Sequence, residues 1–586
     1  MSWERGLQGL QNLKSFNRRA NTMSDAGAPK QPELVNVLID GKATQVPKGT
    51  NVIEAAKTLG VDIPHYCYHP HLSIAGNCRM CQVQVKGQPK MTIACNTPCA
   101  EGMDVATHHS SQDVANAQAA TLEFILINHP LDCTVCDQAG HCKLQDYHFE
   151  YNARSSRFLE SKVHKIKALP LGPTVMLDGE RCIMCTRCIR FCDEITGTSE
   201  LGMLNRGDQS VIAVSPGREL DNPLAGSVVD LCPVGALTHR QWRFNTRIWF
   251  TKQTESICPG CSTGCNVKVA ERDGEIVHVK GRRNDAVNKE WLCDEGRYGF
   301  GRFLSKNRIV EPYANTTSGE KRSVSLSEIV TGLKNTIKTL TVLVSPDLTL
   351  EEYYLLKQIL HRTSSVGRIV MPTYKRTLDK VQQILVSPDY ASNLAGAKAV
   401  GLVGEDAEGD YRDVLAKIRR KEIENILVLG DRAIGSSDID EALLEGLAAA
   451  RVSVGVLTDA DSKIANVLGA VVPGRSILEK SGLLVNGKRR VQYAQGVVQF
   501  PDGSIPEWRF LALVGEAAGA KILSFNASQV GDREVTRWYL GADPLVSSMG
   551  LTIAQIKDGG VQLPVVSREV RVDSQSVESA GASPAA

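Results

Sequence analysis

The spacing of apolar side chains changes along the chain from two-residue alternation to mixed strand and helix patterns. Over residues 35–46 apolar and polar positions alternate around Asp40-Gly41, a dipeptide that favours a tight turn, which predicts a β-hairpin. Asn51, with Glu54 three residues on, is placed to cap a helix ending at Gly60. Alternation returns over residues 81–85, a predicted strand, and helical spacing through Leu122, Ile125 and Leu126 predicts a helix over 111–128 that stops before Pro130. Residues 267–269 and 276–279 flank Asp273-Gly274 as a second hairpin. Further on, short apolar runs at 341–344, 426–429 and 452–457 are separated by helical patterns. Thr349 with Glu352 caps one helix through His361, and residues 438–450 form another. Strand and helix in alternation predict a parallel, doubly wound sheet. No G-x-G-x-x-G follows a strand, and there is no Walker loop.

Length and charge narrow the class. At 586 residues several domains are expected, and 42% hydrophobic content fills ordinary cores. A net charge of +2 offers no field for nucleic acid or a lipid surface. Residues 1–34 lack the apolar centre of a secretory signal, and no apolar stretch reaches the roughly 18 residues a membrane helix needs. The chain is therefore expected in the cytoplasm, without a membrane span. Thiols stay reduced there, and closely spaced cysteines read as metal ligands.

All 17 cysteines lie between Cys67 and Cys293, and the 293 residues that follow contain none. Fifteen of them, with one histidine, fill four four-ligand sets. The first is Cys67, Cys78, Cys81 and Cys95, four thiolates suited to a [2Fe–2S] cluster, with Gly76 letting the backbone turn beside the sulfurs. A structural zinc is the alternative, although the spacing does not match the paired knuckles of common zinc sites. The second is His129 with Cys133, Cys136 and Cys142. Three cysteines leave one iron short of a protein ligand, and His129 is the natural fourth donor for a [4Fe–4S] cluster; dipole compensation at a helix end is its other reading. The third run is Cys182, Cys185, Cys188 and Cys192, followed by a remote Cys232-Pro233. In the bacterial ferredoxin pattern the remote cysteine completes the first cluster, which selects Cys182, Cys185, Cys188 and Cys232 for [4Fe–4S] and leaves Cys192 a buried thiol; Cys192 in place of Cys232 is the alternative. The fourth set is Cys258, Cys261, Cys265 and Cys293, for which [4Fe–4S] and zinc are nearly equal by composition alone. Cys99 and His65, His69, His71, His108 and His109 belong to no complete set and read as loop, surface or packing residues.

The run from Pro64 through Cys67, Gly76-Asn-Cys78-Arg-Met-Cys81, the His129 set, Arg181-Cys182-Ile-Met-Cys185-Thr-Arg-Cys188 and Cys232-Pro-Val-Gly-Ala-Leu237 resembles the large iron–sulfur subunit of NADH-quinone oxidoreductase, respiratory complex I, over about residues 35–300. The Cys258 set and the α/β half look like the amino-terminal part of a molybdopterin oxidoreductase. Glu479-Lys-Ser-Gly482-Leu-Leu-Val-Asn486 through Gln492 resembles a late motif of that family, and no cysteine follows the fourth set to hold molybdenum.

The resemblance implies a multidomain α+β and α/β fold. A flexible tail over 1–33 precedes a [2Fe–2S] ferredoxin-like β-grasp domain at 34–110. A [4Fe–4S] module with one histidine and three cysteines at 111–165, a ferredoxin-type [4Fe–4S] domain at 166–250 and a four-cysteine [4Fe–4S] domain at 251–310 follow. A reduced, molybdopterin-oxidoreductase-like doubly wound part at 311–566 and a disordered tail over 567–586 complete the chain.

It also implies one [2Fe–2S] and three [4Fe–4S] clusters, no molybdenum, and a relay role in the peripheral arm. Electrons come from a flavin- and NADH-binding subunit and leave toward other iron–sulfur subunits and the quinone site, with no NADH, flavin or quinone site on this chain. The expected place is the cytoplasmic side of the inner (plasma) membrane. By analogy the [2Fe–2S] centre accepts first, the Cys182 centre passes on, the His129 centre hands out, and the Cys258 centre lies off the main path. A soluble NAD-linked hydrogenase or formate dehydrogenase subunit is the alternative, and a zinc-bearing scaffold the rival from another class. Arg79, Arg187 and Arg190 either raise local potentials or are surface and interface charges.

Overall fold

The hairpin expected at Asp40-Gly41 forms, with Leu34–Ile39 antiparallel to Lys42–Pro47 and Asp40 and Gly41 both at positive φ. The structure, a computed structural model, describes residues 33–563 except 153, 317–318, 364–366, 527–529 and 548, so the tails expected at 1–33 and 567–586 lie outside the described residues apart from residue 33. Leu34–Ile39 also pairs in parallel with Met103–Ala106, giving a five-stranded sheet in the order Lys42–Pro47, Leu34–Ile39, Met103–Ala106, Gln82–Val85, Thr92–Ile93. The helix Val52–Thr58 is capped by Asn51, whose side chain accepts from Glu54 N at 3.0 Å. Its buried face of Val52, Ile53, Ala55 and Ala56 packs with Val35, Val37, Ile39 and Val83. Burying each of the larger of these side chains is worth roughly 1.5–3 kcal/mol. This is the β-grasp arrangement.

The helix Gln112–Leu126 begins at its Ser111 cap and packs against Lys143–Tyr151. Next come a small sheet of Leu237–His239, Val175–Leu177 and Leu169–Pro170 and the hairpin Leu201–Leu204 with Val211–Val214. A three-stranded antiparallel sheet follows: Lys252–Ile257, Asn266–Arg272 and Glu275–Gly281. One continuous apolar core joins these units, and cysteines of all four sets lie in it or against it.

The remaining chain builds a seven-stranded sheet in the order Lys321–Ser323, Tyr313–Asn315, Ala470–Pro473, Val452–Leu457, Asn425–Leu429, Thr341–Val344, Ile369–Val370. Its five consecutive strands from Ala470–Pro473 to Ile369–Val370 are parallel, as expected, and helices such as Leu350–Arg362 and Ala407–Arg419 contribute to the apolar layers beside it. Tyr313–Asn315 and Lys321–Ser323 add an antiparallel edge that the apolar pattern did not mark, because Lys321–Ser323 is exposed throughout. The helix expected over 438–450 starts at Glu441, since Asp440 supplies the cap to Leu443 N and Ser436–Asp438 is a separate 3-10 turn.

Candidate metal centres

Cys67 and Cys78 sit on the loop after the first helix, Cys81 immediately precedes the strand Gln82–Val85, and Cys95 lies in the turn Ala94–Asn96. A backbone bond from Ala94 N to Cys81 O at 2.8 Å closes that turn onto the strand. Gly76 has φ +61°, the left-handed conformation expected beside the sulfurs. The four thiols come together as two touching pairs, Cys67 with Cys78 and Cys81 with Cys95. The Cys78 thiol, assisted by the N–H groups of Cys78 and Asn77, holds Cys67 down at about 5, while sharing the proton pushes Cys78 and Cys81 up. Two thiol pairs side by side match a two-iron centre, in which each iron takes two protein sulfurs.

Cys182, Cys185, Cys188 and Cys232 line one small cavity with Leu177, Ile212 and Leu237. Cys192 does not line it; its fully buried thiol lies in the π-helical turn Phe191–Ile195. Burial pushes the thiols of Cys182, Cys185 and Cys232 up to about 11, so filling the cage must release protons. The N–H groups of Val234, Leu237 and Ala236 point at Cys232 Sγ, and such donors stabilise a ligated thiolate.

His129, Cys133, Cys136 and Cys142 line a cavity of about 850 Å³ bounded by Phe124, Phe149 and Arg181. His129 Nδ1 is buried and has no hydrogen-bond partner among the described residues. Burial, with Lys162 and Arg181 nearby, lowers the imidazole to about 4, which leaves it neutral with a free lone pair, the form that binds metal. The helix-end role is filled by another residue: Lys162 Nζ donates to Ile127 O at 2.6 Å and Leu126 O at 3.2 Å.

The fourth set is held from the α/β half. Cys258 N donates to Cys265 O at 2.8 Å, and the loop between them is gripped on several sides: Ser262 N to Asp389 O, Thr263 Oγ1 to Leu385 O, and Gly487 N to Ser262 O. The motif at residues 479–492 completes this grip, since Asn486 Nδ2 donates to Thr263 O and Gln492 Nε2 to Gly264 O, at 3.1 and 2.9 Å. Gly264, at φ +64°, leaves only 2.7 Å between an added Cβ and Gln492. A Cβ added at Gly296 would fall equally close, 3.2 Å, to the sulfurs of Cys258 and Cys293.

Short bridges connect the sets. Arg190 Nη2 donates both to Cys67 O at 2.6 Å and to Cys185 O at 3.2 Å, so one guanidinium touches the backbone of the first and third sets. Arg187 is buried and donates to Tyr68 O and to Leu231 O. Of their readings, the interface one fits the buried Arg187 and the half-buried Arg190, while Arg79 is exposed. Gly235, three residues after Cys232, would place a Cβ only 2.1 Å from Cys136 Sγ, and Pro233 O is 4.0 Å from Cys142 Sγ. Arg181, next to Cys182, pairs with Asp132 at 2.9 Å, next to Cys133. His65 and His69 are buried, not loop surface; His69 bonds Glu290 at 2.7 Å and stacks on Trp291, tying the first domain to the fourth. Cys99 is a buried thiol outside these groups. Of the bridging residues, His69, Arg181, Arg187, Arg190 and Gly235 stood among the residues and runs singled out in the sequence. Lys162 and the partners of the 479–492 motif did not, because they meet their targets only through long-range packing.

Four family models match consecutive stretches of the chain. They are a 2Fe-2S iron-sulfur cluster binding domain at 33–110 and an NADH-ubiquinone oxidoreductase-G iron-sulfur binding region at 118–157, then an NADH-quinone oxidoreductase subunit 3 ferredoxin-like domain at 172–238 and a molybdopterin oxidoreductase Fe4S4 domain at 251–305. Fold and sites thus define an iron–sulfur protein with a [2Fe–2S] domain followed by [4Fe–4S] binding regions. The chain is 37% identical over 340 residues to the NADH-quinone oxidoreductase G subunit of Streptomyces coelicolor, covering 57% of this chain and 40% of that protein. It is 40% identical over 297 residues to the mitochondrial NADH dehydrogenase [ubiquinone] iron-sulfur protein 1 of Solanum tuberosum, covering 51% and 40%. To the G subunit of Rickettsia bellii it is 36% identical over 334 residues, covering 56% and 48%. Over the aligned part the chain is similar to these iron–sulfur subunits, and it spans less than half of their length. A crystal structure of an NAD+-reducing [NiFe]-hydrogenase in the H2-reduced state aligns at 29% identity, over 36% of this chain and 91% of that one, with a TM-score of 0.33.

Proposed function

We propose that this chain is the large iron–sulfur subunit of the peripheral arm of an NADH-quinone oxidoreductase, relaying electrons from a flavin-bearing partner to iron–sulfur subunits nearer the quinone. Cys67, Cys78, Cys81 and Cys95 hold the [2Fe–2S] cluster. The three [4Fe–4S] clusters belong to His129, Cys133, Cys136 and Cys142; to Cys182, Cys185, Cys188 and Cys232; and to Cys258, Cys261, Cys265 and Cys293. When bound, these groups supply one-electron exchange. The chain's residues space them, exclude water and place cations beside them.

The observation that carries this reading is the set of protein bridges between donor groups: Arg190 between the first and third, and the segment from Cys232 to Gly235 between the third and second. No helix among the described residues is long and apolar enough to cross a membrane; the place proposed for the chain is a peripheral part of the membrane complex, on its cytoplasmic side. Donor packing weighs against a zinc scaffold. Zn–S bonds of about 2.3 Å would draw four sulfurs to roughly 3.8 Å from one another. Among the described residues, no three cysteine sulfurs lie within 4.8 Å of each other.

Anaerobically purified protein is expected to be brown and to contain acid-labile sulfide, with iron for one two-iron and three four-iron clusters and four redox-titrating centres by electron paramagnetic resonance. A colourless preparation with stoichiometric zinc would reject the proposal. His129→Cys is expected to retain its cluster at a lower potential, because thiolate is anionic where the imidazole is neutral. An unchanged potential in the redox titration would remove His129 from the ligand set.

A further inference from the structure

Between the third and fourth cysteine sets lie three donors that neither set uses. Asp230 comes from the helix Ser227–Leu231, two residues before Cys232; His239 ends the strand Leu237–His239; and His278 lies on the strand Glu275–Gly281. A register irregularity between Ala270 and Glu271, opposite His278 and Ile276, leaves one extra residue on the His278 strand and re-aims its side chains. One ligand atom from each of the three lies within 4.8 Å of the others.

Asp230 and His239 are each held from behind with the near atom left open. Asp230 Oδ2 accepts from Arg297 Nη2 at 2.7 Å and from Gly281 N at 3.2 Å, while Oδ1 is buried without a partner. His239 is 4% exposed; its Nδ1 meets Tyr298 Oη at 2.8 Å, and its Nε2 faces Asp230 Oδ1 at 4.0 Å with no hydrogen bond. In the tautomer whose Nδ1–H donates to Tyr298 Oη, Nε2 is left as a lone-pair donor, the arrangement that orients metal-binding imidazoles. The His278 ring stands 5.2 Å from that of His239 and 5.3 Å from that of Trp242. Burial lowers both imidazoles, His278 to about 3, so they are neutral donors at physiological pH. A cavity of about 80 Å³ beside them, lined by His141, His239, Trp242 and His278, has room for a water. Arg297 and Lys280 are the nearby cations that oppose a metal, and Arg297 is already paired with the far oxygen of Asp230.

From this geometry we propose that Asp230, His239 and His278 form a binding site for one divalent transition-metal ion of the zinc class, with water as the fourth ligand, separate from the iron–sulfur sets. Two imidazoles, one carboxylate and an open position are the donors such ions take. An ion there clamps the Cys232 loop, which Asp230 and His239 flank, to the hairpin of the fourth domain.

The test uses the full cluster-loaded chain, oxidised so that its clusters are silent in electron paramagnetic resonance, with Co2+ alone as the probe. One equivalent is expected to survive gel filtration, to give a high-spin cobalt signal, and to be displaced by Zn2+. His278→Ala is expected to lose the bound cobalt, and Tyr298→Phe, which keeps all three donors, to weaken retention about tenfold or more, with iron content unchanged in both. Absence of saturable cobalt, equal retention by His278→Ala, or cobalt uptake only as iron is lost would each overturn the assignment.

Discussion

Replacing Lys480 with methionine is expected to destabilise the α/β half by about 3–5 kcal/mol, the cost of leaving buried charge without its partner. Lys480 is 2% exposed and its Nζ lies 2.9 Å from Glu352 and 2.6 Å from Glu507, both fully buried. The same Glu352 closes the capping box on Thr349, so the lysine also anchors the start of the helix Leu350–Arg362. Hydrogen exchange in Leu350–Arg362 and Glu507–Ala517 reads the loss locally, which suits a multidomain chain better than a single melting point. Protection unchanged within about 1 kcal/mol would show that the triad adds nothing. One lysine between two carboxylates is also one charge short. Burial, and Glu352 beside it, push Glu507 up to about 8 despite Lys480. Folding therefore favours the protonated acid, a contribution that is full below the unfolded glutamate value and is lost as pH rises through about 8. Glu507→Gln should accordingly be tolerated, and its stability relative to the parent should improve from about pH 6 to pH 9; a constant difference would refute the shared proton.

Gly235→Ala is expected to abolish the cluster of the His129 set while sparing the [2Fe–2S] domain. The added Cβ falls 2.1 Å from Cys136 Sγ and 3.1 Å from Gln138 Cβ, where ordinary contact begins at 3.4 Å. The sulfur must retreat by more than about 1 Å, and a ligand constellation tolerates about 0.5 Å. Iron should fall by one four-iron cluster, with the signal of the first set intact by electron paramagnetic resonance. A variant with the full iron complement and unchanged spectra would mean that the loop yields instead of the sulfur.

These two positions show how differently the sequence spoke. Gly235 stands in a recognisable run after Cys232, yet nothing in that run reveals that Cys136, about a hundred residues earlier, is its neighbour. Lys480 belongs to a stretch resembling a molybdopterin-enzyme motif, and its role here is packing: Lys480 joins two helices, and Asn486 and Gln492 hold the loop that carries Cys261 and Cys265. Glu352 was legible as a cap because a capping box is complete within four residues. Its bond to Lys480 spans 128 residues and was not.

By itself the sequence marked the candidate donors, their spacing and the local elements that present them, because ligand spacing, turn dipeptides, caps and apolar periodicity act over a few residues. Tertiary structure alone decided that Cys232 and not Cys192 shares a cavity with Cys182, that Lys162 and not His129 closes the helix end, and that Arg190 spans two sets. It also brought Asp230, His239 and His278 together from two strands and a helix. Such neighbours are fixed by how sheets and helices bury their apolar faces against one another, a condition on the whole chain that no window of it contains.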